Sequence, residues 1–281
     1  MKVYLDCLPC HVRSAINSAK LLTEDAKLIE QTAKEALIKA SCFTDYKNHL
    51  ELYRDIANIV KKNIEGKDPY REFKIEFNKI CMDISQDLVE MISKSKDWFD
   101  TALRVCLSGN SIDVMQGKKL SRQNLLDAIN DAVCQKLDNK NIQNFKKELL
   151  EAEKILYVGD NAGEIVFDKI FIKFLNEKLF KKQRIIYAVR GGPALNDATI
   201  DDAVMVKMDE VAQVITTGTD MPAAHLPRCS QQFKEAFGQS DLVISKGQGN
   251  LEALLEEKKN IYFLLKIKCP VIAKIFNDRH S

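Results

Sequence analysis

The sequence contains no apolar run that approaches the roughly 20 residues needed to span a bilayer, although 46% of its 281 residues are hydrophobic. The first residues, MKVYLDCLPCHVRS, also lack the apolar segment of a secretion signal. These two absences argue against a membrane-spanning or secreted protein. We therefore expect a cytoplasmic protein with no membrane partner.

A large excess of charge is absent as well. The chain has 42 Lys and Arg residues against 40 Asp and Glu residues, a net charge of +2, and the two signs are interspersed. Proteins that bind polyanions usually concentrate basic residues on one surface, so we expect no nucleic-acid partner. A small phosphorylated ligand stays compatible with this composition, because it needs only a few well-placed donors.

Several common catalytic and cofactor motifs are also missing. No GxGxxG follows the first predicted strand, which argues against a dinucleotide site, and no loop has the Walker A spacing of an ATPase. The sequence has no GxSxG and no HExxH. Neither an α/β-hydrolase triad nor a histidine-based metal site is therefore supported.

Eight cysteines are present, and in a cytosolic chain of this size we expect them to be reduced. Only Cys7 and Cys10, followed by His11, have a spacing that suggests a function. A closed zinc site needs about four ligands, and no second CxxC exists. The thioredoxin-like alternative needs a βαβ context that residues 1–40 do not provide. A structural, zinc or redox role for the CxxC stays open.

The first half of the chain has almost no strand-like alternation. Its apolar residues recur every three or four positions, which is typical of helices with one buried face. The segments 48–64 and 71–95 show this spacing and are separated by a break at Pro69. The sequence predicts a helical domain over residues 1–150, in which SGNSID (108–113) is interpreted as a turn between helices.

Short β-branched and aromatic runs begin near residue 153 and alternate with helical stretches, which favours βαβ units and a mostly parallel sheet. We therefore predict an α/β protein, with a Rossmann-like domain at 151–281 beside the helical one. The predicted strands are KILYVGD (154–160), RIIYAVR (184–190), VMVKM (204–208), QVITT (213–217), DLVISKG (241–247) and IYFLLKIK (261–268).

Oxygen-bearing side chains follow the first two predicted strands. Asp160 and Asn161 end the first, with Glu164 in the next helical turn, and Asp197 follows the second. In open α/β sheets, ligands bind beyond the carboxyl ends of the strands, and carboxylate and amide oxygens suit hard divalent cations. The alternative is that these residues only form turns and cap helices.

Phosphate-binding groups follow the same predicted strand ends. Arg190 precedes two glycines, Thr217 lies in a Thr-Thr-Gly-Thr run, and Lys246 lies between a serine and a glycine. Arginine pairs with phosphate in bidentate fashion, and hydroxyls, backbone amides and a lysine can neutralise a phosphoryl group. The alternative for Lys246 is a solvated surface charge.

The ordered series CLPC, DPY, SGNSID, GDNAGE, RGGPALNDAT, TTGTD and SKGQGNLE spans nearly the whole chain. It resembles the metal-dependent damage-control phosphatases, long catalogued as a domain of unknown function, and in particular their mainly prokaryotic subgroup with an N-terminal CxxC. The resemblance implies helices packed on a Rossmann-like domain. One departure is the loop 221–229, MPAAHLPRC, where a shorter, glycine-rich stretch is expected.

The resemblance also implies a cofactor and site residues. Members hydrolyse phosphomonoesters of small metabolites, often sugar phosphates, with cobalt, nickel, manganese or magnesium. The metal ligands carried over by motif are Asp160, Asn161 and Asp197. Lys246 then holds the phosphate, and the residues that line the pocket are Asn110, Asp113, Glu164 and Arg190.

We therefore predict a metal-dependent phosphatase of small phosphomonoesters, with Asp160, Asp197 and Lys246 as catalytic residues and Thr217 among the substrate-binding ones. Two alternatives stay open, namely a non-catalytic binding protein for phosphorylated metabolites and a zinc or redox protein based on the CxxC. The residues do not determine the substrate, the preferred metal, the attacking nucleophile or the oligomeric state.

Overall fold

The structure is a computed structural model that describes residues 1–64, 68–111, 122–135, 137–180 and 184–280. Eight α-helices precede the first strand in these ranges, and none of the helices described is long and apolar enough to cross a membrane. They are α1 (Cys7–Leu22), α2 (Ala26–Ser41), α3 (His49–Asn63), α4 (Arg71–Asp83), α5 (Ser85–Lys94), α6 (Trp98–Ser111), α7 (Arg122–Val133) and α8 (Asn139–Glu151).

Local sequence accounts for where these helices begin and end. Asn48 caps α3 by accepting a hydrogen bond from the Leu50 amide at 2.8 Å. Asp68 accepts one from the Tyr70 amide at 2.9 Å, just before α4. The break at Pro69 is therefore confirmed, whereas the predicted helix 71–95 is two helices separated at Ile84.

The second half of the chain forms a five-stranded parallel sheet, as predicted. Its order, β3-β2-β1-β4-β5, places β1 in the centre, and the strand order reverses between β1 and β4, where Rossmann-like sheets bind ligands. The strands are β1 (Ile155–Val158), β2 (Ile185–Val189), β3 (Gln213–Thr216), β4 (Leu242–Lys246) and β5 (Ile261–Leu264). The remaining helices are α9 (Glu164–Lys178), α10 (Ile200–Met205), α11 (Gln231–Gln239), α12 (Gln248–Leu254) and α13 (Pro270–His280).

The predicted strand VMVKM at 204–208 is wrong. Val204 and Met205 end α10, Met208 begins a short 3-10 helix, and Val204 is 68% exposed. A capping box opens this helix, because the Asp202 carboxylate accepts hydrogen bonds from the Thr199 amide at 2.8 Å and from its hydroxyl at 2.9 Å. The cap outweighs the β-propensity of two valines.

The predicted turn at 108–113 is also wrong for the residues that the structure describes. Ser108 to Ser111 form the last turn of α6. Gly109 lies directly against α9, since a Cβ atom on residue 109 would lie 3.2 Å from the Phe167 ring. Here the glycine permits close helix packing and does not end the helix.

Alternate residues of the central strand face two different cores. Ile155 and Tyr157 belong to a large apolar cluster that joins one face of the sheet to α4–α9, whereas Leu156 and Val158 face α11 and α12. A third cluster joins α1, α2 and α3. The larger cluster extends across residue 150, so the division of the chain at that point stays a prediction.

Replacing Phe171 by alanine should lower the free energy of unfolding by about 3–5 kcal/mol. Its ring is fully buried and packs beside Phe99 and Phe145, so the change leaves a cavity between the helices and the sheet. Urea unfolding measures the loss. The control is Leu150→Ala, at a side chain that is 50% exposed, and equal losses for the two variants would contradict the described core.

Candidate active site

The loops after β1 and β2 join beyond the carboxyl end of the sheet. The backbone oxygen of Asp160 accepts a hydrogen bond from the Ala198 amide at 2.7 Å, and Asn161 pairs with Asp197 in an isolated antiparallel bridge. The structure therefore brings together Asp160, Asn161 and Asp197, the three residues predicted to ligate a metal.

This junction is strongly acidic and buried. Asp160, Glu164 and Asp197 are 8%, 1% and 4% exposed. Burial raises the pKa of Asp160 well above its ordinary value, and the charges of Asp197 and Glu164 raise it further. Burial also raises the pKa of Asp197 to about 6, although Arg190 opposes the shift. Raised carboxyl pKa values indicate that the negative charge here is incompletely balanced.

A glycine at the end of β4 allows the neighbouring loop to approach the acidic group. Gly247 has φ of +78°, and a Cβ atom there would lie only 2.0 Å from Oδ2 of Asp160. Any other residue would therefore occupy the space of that carboxylate.

Arg190 supplies positive charge from the end of β2. Its Nε donates to Oδ2 of Asp197 at 2.5 Å, and its Nη2 lies 3.6 Å from Oδ1 of Asp160. Neither Nη atom has a hydrogen-bond partner among the described residues, although the side chain is completely buried. Arg190 lines a cleft of about 370 Å³ together with Gly191 and Gly192. An anion in this cleft would satisfy the unpaired donors.

Thr217 lies beside this cleft but has partners within the protein. Its hydroxyl accepts a hydrogen bond from the Gly191 amide at 3.2 Å and donates to the Thr219 carbonyl at 3.2 Å. In this structure it holds the glycine loop in place, and a direct contact with substrate stays a prediction.

Lys246 is fully buried, which contradicts the alternative of a solvated surface charge. Its ammonium lies 2.9 Å from Oε1 of Glu164 and 2.7 Å from Oδ1 of Asp168, and it donates to the Cys106 carbonyl at 3.0 Å. Its position as the last residue of β4 directs it beneath the acidic loops. A phosphate contact for Lys246 stays a prediction.

Sequence reasoning missed Asp168. This buried carboxylate also accepts hydrogen bonds from the hydroxyls of Tyr157 at 2.7 Å and Tyr187 at 2.8 Å. A signal was present, because Asp168 lies four residues after Glu164 and so on the same face of α9. The two tyrosines gave no comparable signal, since aromatic residues are common in strands.

The two pocket residues predicted from the helical half have different outcomes. Asn110, at the end of α6, donates to Oε2 of Glu164 at 3.2 Å and accepts from the Lys266 amide at 2.9 Å. It therefore lies at the site, next to a predicted pocket residue. Asp113 lies outside the described residues.

The CxxC motif lies on the first turn of α1. Cys7 is partly buried and Cys10 is exposed. Burial raises the pKa of both thiols, and Glu252 and the thiol of Cys269 add to the increase. Reactive redox cysteines have lowered pKa values, so this environment does not favour a redox pair.

Comparison with known proteins identifies the family of the chain. Residues 3–281 match the family model described as the damage-control phosphatase ARMT1-like domain. The chain belongs to the damage-control phosphatase family. Membership in this family supports a phosphatase role directed at damaged metabolites and makes the chain a hydrolase.

The matches to relatives cover almost the whole length of both proteins. The chain is 32% identical to the damage-control phosphatase PH1575 of Pyrococcus horikoshii, over 98% of this chain and 94% of that protein. It is 30% identical to a damage-control phosphatase of Archaeoglobus fulgidus, over 98% and 95%. The crystal structure of PH1575, a DUF89 family protein, has a TM-score of 0.85 and 29% identity over 99% of this chain and 95% of that one.

In this damage-control phosphatase, Gly247→Ala should lower the free energy of unfolding by about 1–3 kcal/mol, because the positive φ disfavours alanine and its Cβ would displace Asp160. Thermal unfolding measures the effect. Gly238→Ala is the control, since nothing lies within 4 Å of a Cβ atom at that position in α11. Equal stability of the two variants would show that the loop does not approach Asp160 this closely.

Proposed function

We propose that the chain is a divalent-metal-dependent phosphatase that hydrolyses small phosphomonoesters such as sugar phosphates. The balance of buried charge is the observation that carries this proposal. In the cluster beyond the carboxyl end of the sheet, four buried carboxylates pair with two buried cations, and each cation contacts two of the carboxylates. The carboxylates are those of Asp160, Glu164, Asp168 and Asp197, and the cations are Arg190 and Lys246. A third buried cation, Lys74, pairs with Asp68 and Asp202.

A divalent cation would balance the two excess negative charges. Asp160, Asn161 and Asp197 would hold it, since two carboxylates and one amide provide hard oxygen ligands for magnesium, manganese, cobalt or nickel. Among the described residues, no three His, Cys, Asp or Glu side chains are arranged to hold a metal by themselves. The proposed ligand set therefore needs the amide oxygen of Asn161 as its third member. Three protein ligands leave coordination positions open for substrate.

The protein's own groups would bind and orient the ester. The free Nη atoms of Arg190 would bind the phosphoryl oxygens in the cleft, beside the backbone of Gly191 and Gly192. Lys246, held by Glu164 on one side, would add positive charge where negative charge develops. The bound cation would polarise a phosphoryl oxygen and neutralise charge in the transition state.

The CxxC alternative has less support. The raised pKa values of Cys7 and Cys10 differ from those of redox pairs. In the residues described, no group of three His, Cys, Asp or Glu side chains around the motif is arranged as a metal site. We therefore do not assign the principal function to these cysteines.

Asp160→Asn should reduce metal-dependent phosphate release by roughly 100-fold or more, because it removes a ligand and a charge from the site. The assay is hydrolysis of p-nitrophenyl phosphate by metal-stripped protein, with magnesium, manganese, cobalt or nickel added singly. The control is Asp209→Asn, which changes an exposed carboxylate outside the site.

Two outcomes would contradict the proposal. A fully active Asp160→Asn protein would remove the metal site from the mechanism. Absence of phosphate release with every cation, from folded wild-type protein that still binds glucose 6-phosphate, would favour the non-catalytic binding protein.

The metal-free Asp160→Asn protein should be at least as stable as the metal-free wild type. Asp160 is buried next to Asp197 and Glu164, so removing its charge relieves repulsion. A cation at 100 times its dissociation constant should stabilise the wild type by about 2.7 kcal/mol and the variant by much less. Thermal unfolding with and without manganese measures both effects, and equal stabilisation of the two proteins would contradict the assignment.

A further inference from the structure

A small cavity of about 40 Å³ lies between the helical part of the chain and the loop after β2. Its floor consists of α1 and α3, and one wall is the segment from Pro193 to Leu195 that joins Arg190 to Asp197. Leu195 has φ of +50°, a conformation that costs a residue other than glycine free energy. The fold thus holds this wall in a strained shape beside the site.

His11 is the most unusual residue of the cavity. It is 6% exposed, and neither of its ring nitrogens makes a hydrogen bond of good geometry with the described residues, although the backbone of His49 lies close enough to affect its pKa. Its ring stacks on His49 at 5.9 Å and contacts the edge of Tyr53 at 5.0 Å. A buried polar group without a partner costs free energy, so the ring is suited to a ligand group that enters the cavity.

The protonation state of His11 restricts the kind of ligand. Burial, followed by the charge of His49, lowers its pKa to about 4, while the nearby His49 backbone acts in the opposite direction. At neutral pH the imidazole is therefore uncharged, with one donor and one acceptor nitrogen. A hydroxyl group, which also donates and accepts, matches this pair better than an anion does.

The rest of the lining supports a neutral, hydroxylated ligand. The hydroxyls of Ser14 and Tyr53 are 2.9 Å apart, and each can act as donor or acceptor. The charged groups at the rim are paired within the protein, since Asp220 accepts from Nε of Arg54 at 3.1 Å and from Lys61 at 2.7 Å. A second anionic group of a ligand would have to displace Asp220.

The cavity adjoins the proposed phosphate cleft. Asp68 and Pro193 line both spaces, and Arg190, whose Nη atoms have no hydrogen-bond partner among the described residues, lines the cleft. A ligand that extends from the cleft into the cavity would place its phosphoryl group near Arg190 and its other end near His11. The cavity is small, so it suits the end of a hydroxyl-bearing carbon chain better than a bulky group such as a nucleobase.

We propose that this cavity binds the end of the substrate farthest from the phosphoryl group, and that His11 selects an uncharged hydroxyl-bearing carbon chain, as in a polyol or sugar monophosphate. The inference rests on the proposed phosphatase function, because it assigns the phosphoryl group to the Arg190 cleft. His11 acts as a specificity residue and takes no part in the chemical step.

The test is His11→Phe, which keeps a flat ring and removes both nitrogens. The ratio of kcat/KM for glucose 6-phosphate to that for p-nitrophenyl phosphate should fall by roughly tenfold or more, because only the sugar ester loses a hydrogen-bond partner. The control is Val12→Ala, the next residue of α1, which lies outside this cavity and in the groove towards α2. It should keep the wild-type ratio.

Calorimetry with glucose 6-phosphate provides a readout that does not need turnover, and His11→Phe should weaken this binding by roughly tenfold. If His11→Phe does not fold, Tyr53→Phe, which removes one hydroxyl, should lower the same ratio and the same affinity. An unchanged ratio and affinity in the folded variants would overturn the inference. A wild-type protein that releases no phosphate, but binds glucose 6-phosphate more tightly than His11→Phe does, would overturn only the proposed reaction.

Discussion

The burial of negative charge at the carboxyl end of the sheet is the constraint on which the rest of the site depends. Asp160 and Asp197 share Arg190, while Glu164 and Asp168 share Lys246, and all six residues are at most 8% exposed. Removing charges from water is costly unless opposite charges compensate them. Each cation contacts two carboxylates and so offsets part of this cost, and the divalent cation that we propose would offset the rest.

The helical part of the chain supports this charged centre as well as covering it. Asn78 of α4 accepts a hydrogen bond from the Gly163 amide at 2.6 Å and donates to Asp202 at 2.8 Å. It thereby joins the loop after β1 to the start of α10. Asn110 of α6 has a similar role at Glu164. Helices far from the sheet in sequence thus hold the loops that carry the acidic residues, which explains why one apolar core extends from α4 to β5.

The sequence predicted much of the fold because local physical chemistry determines it. Apolar spacing identified most of the helices. β-Branched runs identified all five strands of the sheet and one further segment that is not a strand. The errors have a common cause. Capping by Asp202 outweighed the strand propensity at 204–208, and contact with Phe167 explains a glycine within a helix at 109. Both effects depend on a partner that periodicity alone does not reveal.

The residues of the candidate site were predicted to different extents. Asp160, Asn161 and Asp197 could be identified because strand ends of a parallel sheet meet at one edge. The surroundings of Lys246 could not, since its partner Asp168 lies 78 residues away in sequence. The surroundings of His11 could not be predicted either, because residues from both halves of the chain line its cavity.

The sequence by itself therefore determined most of the secondary structure, the parallel sheet and the three oxygen-bearing residues at its edge, because each depends on neighbours in the chain or on strand order. Only the tertiary structure decided which charges are buried together, which cations balance them and where a neutral histidine is left without a partner. Burial and pairing arise from contacts between distant segments, and these contacts set the pKa values of Asp160 and Asp197.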